Sequence, residues 1–142
     1  MHEYSTKEGI PYKHILLDSW WYTKGNGGGL KEWDATPTTF PDGLKAFADK
    51  TGWKFQMHNR YWSDNNVYSK TNGGQYDFLT EPTPNQMAMP LDQKLWDDLI
   101  ENKTKAGIPL AVYEQVRFAG CSCFQMLRYC VSVCGCLTSR TN

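Results

Sequence analysis

Two rhythms of apolar and polar positions run along this chain. Residues 14–18, HILLD, are a short apolar run closed by an acid. Such a run predicts a buried strand of a parallel sheet, which reads as continuously apolar. Residues 42–51, DGLKAFADKT, set Leu44, Phe47 and Ala48 at helical spacing, with Pro41 and Asp42 suiting the start and Gly52 the stop. WKFQMH, 53–58, alternates and predicts a second strand. Across 91–105, Leu91, Leu95, Leu99, Trp96 and Ile100 make one apolar helix stripe, ended by Gly107. PLAVYE, 109–114, predicts a third strand.

The order strand, helix, strand, helix, strand is two βαβ units, hence an α/β fold with a parallel sheet and right-handed crossovers. Both strand-to-helix connections read as loops of about twenty residues or more, against a usual two to six. The first is rich in Gly, Pro and aromatics; the second carries turn signals at Asn72-Gly73-Gly74 and Pro82–Pro84. Each follows the carboxyl end of a strand, where α/β barrels carry their active sites.

Composition then divides the chain. Its 142 residues suit one domain, and 15 basic against 15 acidic residues leave no net charge. That balance removes the electrostatic case for nucleic acid or an anionic membrane as partner. No apolar run reaches the roughly 18 residues of a spanning helix. The opening MHEYSTKEGIPYKHILLDSW lacks the basic-then-apolar pattern of a signal peptide. Yet residues 1–115 hold all six Trp, all seven Pro and all fifteen acids, whereas 116–142 hold all five Cys and no acid, Lys, Trp or Pro. Charge splits likewise: 12 basic against 15 acidic residues give −3 before the seam, and 3 against none give +3 after it. The seam lies in a strand-like run rather than a linker. A first part, 1–115, is therefore expected to be the folded unit, and 116–142 a foreign Cys-rich tail from a frameshift or mis-splicing, not a domain.

Chemistry gathers at the strand ends. Strand one ends at Asp18, followed by Trp20, Trp21 and Tyr22; strand two ends at His58, Asn59 and Arg60, followed by Tyr61 and Trp62; strand three ends at Tyr113, Glu114 and Gln115. Parallel strands bring these ends to one mouth. Sugars need such a surface, because their C–H faces stack on aromatic rings while their hydroxyls take hydrogen bonds from Asp, Asn, Arg and His. Plainer readings stand beside this one: Trp20, Trp21 and Trp62 as rim cover, Asp18 as a turn cap, His58 as a structural histidine. No His or Cys near His58 has metal-ligand spacing. Gly25 to Gly29 lacks the phosphate-loop pattern and reads as a flexible turn. Asp97, Asp98 and Glu101 read as a solvated helix face, and the sequon Asn102-Lys103-Thr104 falls within the second helix.

The segments LDSWWY (17–22), KEWDATPTTFPDGLKAFADKTGW (31–53), HNRYWSDN (58–65) and VYEQ (112–115) together resemble the α-galactosidase and raffinose-synthase-like glycoside hydrolases, in particular an uncharacterised eukaryotic branch. The resemblance spans residues 9–115. It implies a (β/α)8 TIM barrel that hydrolyses or transfers terminal α-galactosyl units with retention, through two carboxylates and with no cofactor or metal. By position, Asp18 with Trp20 or Trp21 corresponds to the motif binding the sugar's hydroxyls and ring. His58 and Arg60 line the same subsite, and Trp62 joins the aromatic rim. VYEQ corresponds to the start of the nucleophile strand, whose expected Asp is here Val116. The later acid/base strand has no counterpart, and Glu114 is the one nearby carboxylate, short of the pair that the mechanism needs.

The expected chain is thus a partial barrel of about three strands, an inactive hydrolase fragment with an α-galactoside-like carbohydrate as partner. A typical barrel takes about 250 residues, so three strands imply exposed edges and poor folding unless further segments complete them. Two alternatives stay open: a non-catalytic carbohydrate-binding remnant, and a metal-binding or redox-responsive protein built on Cys121, Cys123, Cys130, Cys134 and Cys136.

Overall fold

The computed structural model describes residues 2–81 and 84–115, the last five by their backbone alone. The five cysteines and Val116 lie outside the described residues, as does part of the Pro82–Pro84 turn. The chain runs α1 (His2–Lys7), β1 (His14–Leu17), β2 (Tyr22–Lys24), β3 (Leu30–Ala35), α2 (Gly43–Thr51), β4 (Lys54–Asn59), β5 (Trp62–Ser63), β6 (Phe78–Glu81), β7 (Met87–Pro90), α3 (Gln93–Lys105) and β8 (Leu110–Gln115).

β1, β4 and β8 form a parallel sheet with β4 at its centre. Leu17 pairs with Met57, and His58 with Glu114. Local chemistry explains the crossover helices. In α2, Gly52 adopts φ +69°, and its N–H closes on the Ala48 carbonyl at 2.7 Å. Leu44 and Ala48 of this helix are buried. In α3, the Asp92 side chain accepts the Lys94 N–H at 2.8 Å and caps the first turn. Leu91 precedes the helix and is 57% exposed, so it leaves the predicted stripe. Lys103 extends the stripe instead, one turn beyond Leu99, and is buried with Leu95, Trp96 and Leu99.

The fold is mixed α/β. Among the described residues the parallel sheet stays open at three strands and closes no barrel. It is also covered unevenly. Phe55, Met57 and Asn59 of β4 are buried, and Phe47 of α2 stacks on Phe55 at 5.9 Å. Leu16 points the other way and is 47% exposed.

The largest difference from expectation lies between the parallel strands. Both supposed loops are strands of a second, five-stranded sheet in the order β2-β3-β5-β7-β6. β2 and β3 come from the first connection, and β5, β6 and β7 from the second. The two halves join where Leu30 pairs with Trp62 and the Leu30 N–H donates to the Tyr61 carbonyl at 2.8 Å. Short strands hid this sheet: β5 has two residues, and β2 meets β3 through register shifts that break strict alternation.

The glycine-rich turn is pinned rather than flexible. The Asn26 side chain donates to Asp64 Oδ1 at 3.0 Å, and its backbone N–H to Asn65 Oδ1 at 3.1 Å. Gly29 permits the approach, since a Cβ there would stand 2.8 Å from the Ser63 nitrogen. Trp62 ties this sheet to α3. It is 1% exposed and packs against Tyr68, Phe78 and Trp96, with ring centroids 5.1, 5.9 and 5.7 Å away.

Candidate functional site

β1 and β4 are adjacent and parallel, so the residues at their carboxyl ends meet. Asp18 Oδ1 lies 3.8 Å from His58 Nδ1. Asp18 keeps a 60% exposed side chain, whereas that of His58 is 12% exposed. At 3.8 Å the two groups make no hydrogen bond, and His58 Nδ1 is buried without a hydrogen-bond partner among the described residues. The Ser19 N–H donates to the same oxygen, Asp18 Oδ1, so the carboxylate also caps its own turn.

Tyr22 closes the cluster from β2. Its ring stacks over the His58 ring, with centroids 6.5 Å apart and planes 8° from parallel. The phenol is buried; its oxygen lies close to the Arg60 backbone N–H, though outside good hydrogen-bond geometry, and meets no other polar partner among the described residues. Burial pushes the Tyr22 pKa up to about 12; Arg60 opposes that rise, and the Asp18 charge adds to it. Arg60 thus belongs to the same electrostatic neighbourhood, with its guanidinium carbon 4.8 Å over the Tyr61 ring.

The backbone of His58 is held as firmly as its side chain is left unpaired. Its carbonyl accepts two indole N–H groups, from Trp21 at 3.4 Å and from Trp33 at 3.2 Å. These rings meet edge to face at 5.4 Å. An unmade hydrogen bond at a buried polar atom costs roughly 1–3 kcal/mol, so the unpartnered His58 Nδ1 beside Asp18 is the atom of this cluster that gains most from a polar partner.

The expected site residues separate on this geometry. Asp18, His58 and Arg60 come together around Tyr22. Trp20 is 50% exposed and stacked on Phe40 at 5.9 Å, which leaves ring surface available beside Asp18. Trp21 and Trp62 are 0% and 1% exposed, and stand in the core rather than on a rim. Asn59 follows His58 but is buried on the opposite face of β4. Glu114 occupies the register position beside His58 in β8. Two residues were not singled out from sequence. Tyr22 stood within the WWY run but was eclipsed by the tryptophans. Lys103 lay in a sequon and in a charged helix segment, and only its place four residues after Leu99 hinted at burial.

Among the described residues, no group of three or more His, Cys, Asp or Glu side chains is placed to hold a metal ion. No helix among them is long and apolar enough to cross a membrane. No family model, no curated protein and no solved structure matches this chain.

Proposed function

We propose that the chain binds a terminal α-galactosyl-type sugar at the carboxyl ends of β1 and β4, and that it is a fragment of an α-galactosidase-like glycoside hydrolase. On this reading β1, β4 and β8 are the first three strands of a (β/α)8 barrel. The observation that carries the proposal is the exposed Asp18 carboxylate at the end of β1, 3.8 Å from His58 Nδ1 at the end of β4. A sugar hydroxyl donates to that carboxylate, and a small movement of the His58 ring brings its buried Nδ1 within reach of the same hydroxyl. Trp20 offers a partly exposed ring for stacking on the sugar's C–H face, and Arg60 a cationic fork for a further hydroxyl.

Binding without cleavage follows from the same reading. The position where the resemblance expects a nucleophilic Asp is Val116, and residues 116–142 contain no acid. Glu114 is then the remaining carboxylate of that strand, Asp18 is taken as a sugar-binding group, and a retaining mechanism needs a nucleophile and an acid/base carboxylate besides. This chain therefore releases aryl α-galactosides no faster than buffer does; release well above that rate refutes the inactive-fragment reading.

Binding itself is tested by titrating the chain with methyl α-galactoside and with glucose while following Trp fluorescence. The expected result is a saturable change with the galactoside, lost in Asp18→Ala. A flat titration, or an Asp18→Ala response equal to that of the unmodified chain, overturns the proposal.

A further inference from the structure

Lys103 is a buried cation far from the strand-end cluster in sequence yet joined to it in space. It lies in the last turn of α3, is 8% exposed, and its Nζ donates to Asp34 Oδ1 of β3 at 2.7 Å. The same nitrogen lies 5.8 Å from the Trp33 ring centroid and 6.0 Å from that of Trp21, within the range of cation–π attraction. Those two indoles are the ones whose N–H groups both converge on the His58 carbonyl. A chain of contacts therefore runs from α3, through Lys103 and the paired rings, to the backbone that carries the His58 imidazole.

We infer that Lys103 is a positioning residue for the sugar site, acting through Trp21 and Trp33 to fix His58 opposite Asp18; this rests on the sugar-binding reading above. Lys103 touches no ligand. Its ammonium holds the two rings in one edge-to-face arrangement, and the rings hold the end of β4. The ammonium is tied to Asp34, whose Oδ1 also accepts the Ala35 N–H at 2.8 Å. The ring pair is thereby fixed between α3 and β3 rather than to one element alone. With both N–H groups engaged, the β4 terminus cannot rotate without breaking two hydrogen bonds. Such preorganisation acts on affinity without adding a contact to the ligand. A role in stability alone makes no demand on the indole N–H groups or on sugar affinity.

Lys103→Met keeps the apolar stem and removes the charge; Lys103→Arg keeps the charge and can still bridge Asp34 and stack on a ring. Two readouts are taken on the full chain: the Trp21 and Trp33 indole signals in a proton–nitrogen correlation spectrum, and methyl α-galactoside affinity. In Lys103→Met both indole signals shift and affinity falls about tenfold, while Lys103→Arg restores most of both. Unmoved indole signals, or shifted signals with unchanged affinity, overturn the positioning role. If Lys103→Met does not fold, Asp34→Asn, at a 62% exposed side chain, releases the ammonium from its partner and is read in the same two ways. If the unmodified chain binds no galactoside, the sugar reading and the positioning role toward it both fall. The indole shifts then still decide whether Lys103 holds the ring pair, so the two failures remain distinguishable.

Discussion

Replacing Asn59 with Val should stabilise the fold. Asn59 is 0% exposed, and neither its Nδ2 nor its Oδ1 has a hydrogen-bond partner among the described residues. Each unmade hydrogen bond at a buried polar atom costs about 1–3 kcal/mol, so the two atoms together cost about 2–6 kcal/mol. Valine removes both and suits a central strand, but its extra bulk costs about 1–3 kcal/mol of overpacking in a full core. The difference spans about −1 to 5 kcal/mol and centres on a gain of about 2 kcal/mol. For a domain of this size that central gain raises Tm by about 8 °C. Urea unfolding followed by Trp fluorescence checks it, read as a higher midpoint at an unchanged slope. Asn59→Ala serves as the volume control, because it removes the same polar atoms without adding bulk. A midpoint that falls in both variants refutes the reasoning, since it means that the amide is hydrogen-bonded. Because Asn59 and His58 alternate across β4, galactoside affinity should stay within about twofold in either variant.

Three further outcomes follow from the same structure. Tyr22, with its pKa raised from 10.0 to about 12 chiefly by burial, favours the neutral phenol in the fold. Its contribution is complete below pH 10 and is lost as pH rises toward 12, so Tyr22→Phe flattens part of the alkaline decline in a stability–pH profile. An equally steep decline in that variant counts against a buried phenol. A Cβ at Gly74 would collide with the carbonyl carbon and oxygen of Tyr68; Gly74→Ala therefore forces backbone movement and costs about 2 kcal/mol or more in thermal unfolding, while a loss under about 0.5 kcal/mol contradicts the close approach. Leu95, 0% exposed on α3, should lose about 2–5 kcal/mol on truncation to Ala, as measured by denaturant unfolding, a smaller loss meaning that the helix face is loosely packed.

Three strands and two helices were legible because each carries its own periodic signal. HILL, KFQMHN and LAVYEQ are apolar or alternating runs bounded by turn residues. The stripe Leu95, Trp96 and Leu99 is a helical spacing that any window of the sequence displays. α1 was not foreseen, because HEYSTK has one buried residue, Ser5, and so no apolar face to read. The second sheet was invisible for a different reason. The bridge between Leu30 and Trp62 joins residues 32 positions apart, in strands too short to announce themselves. Aromatic residues were visible as a group, but their division into rim and core was not. WWY contains one exposed and two buried rings, and composition treats the three alike.

The sequence by itself determined the α/β order, the parallel sheet and the placement of Asp18 and His58 at neighbouring strand ends. Those features depend on local periodicity and on the handedness of βαβ crossovers. Tertiary structure decided which polar groups are paired. The 3.8 Å gap between Asp18 and His58, the buried phenol of Tyr22 and the place of Lys103 beside two indoles all depend on contacts between distant segments. Lys103 and Asp34 are 69 residues apart, and nothing in the local pattern of either specifies the other. Burial of a charge is a property of everything packed around it, so only the assembled chain could assign it.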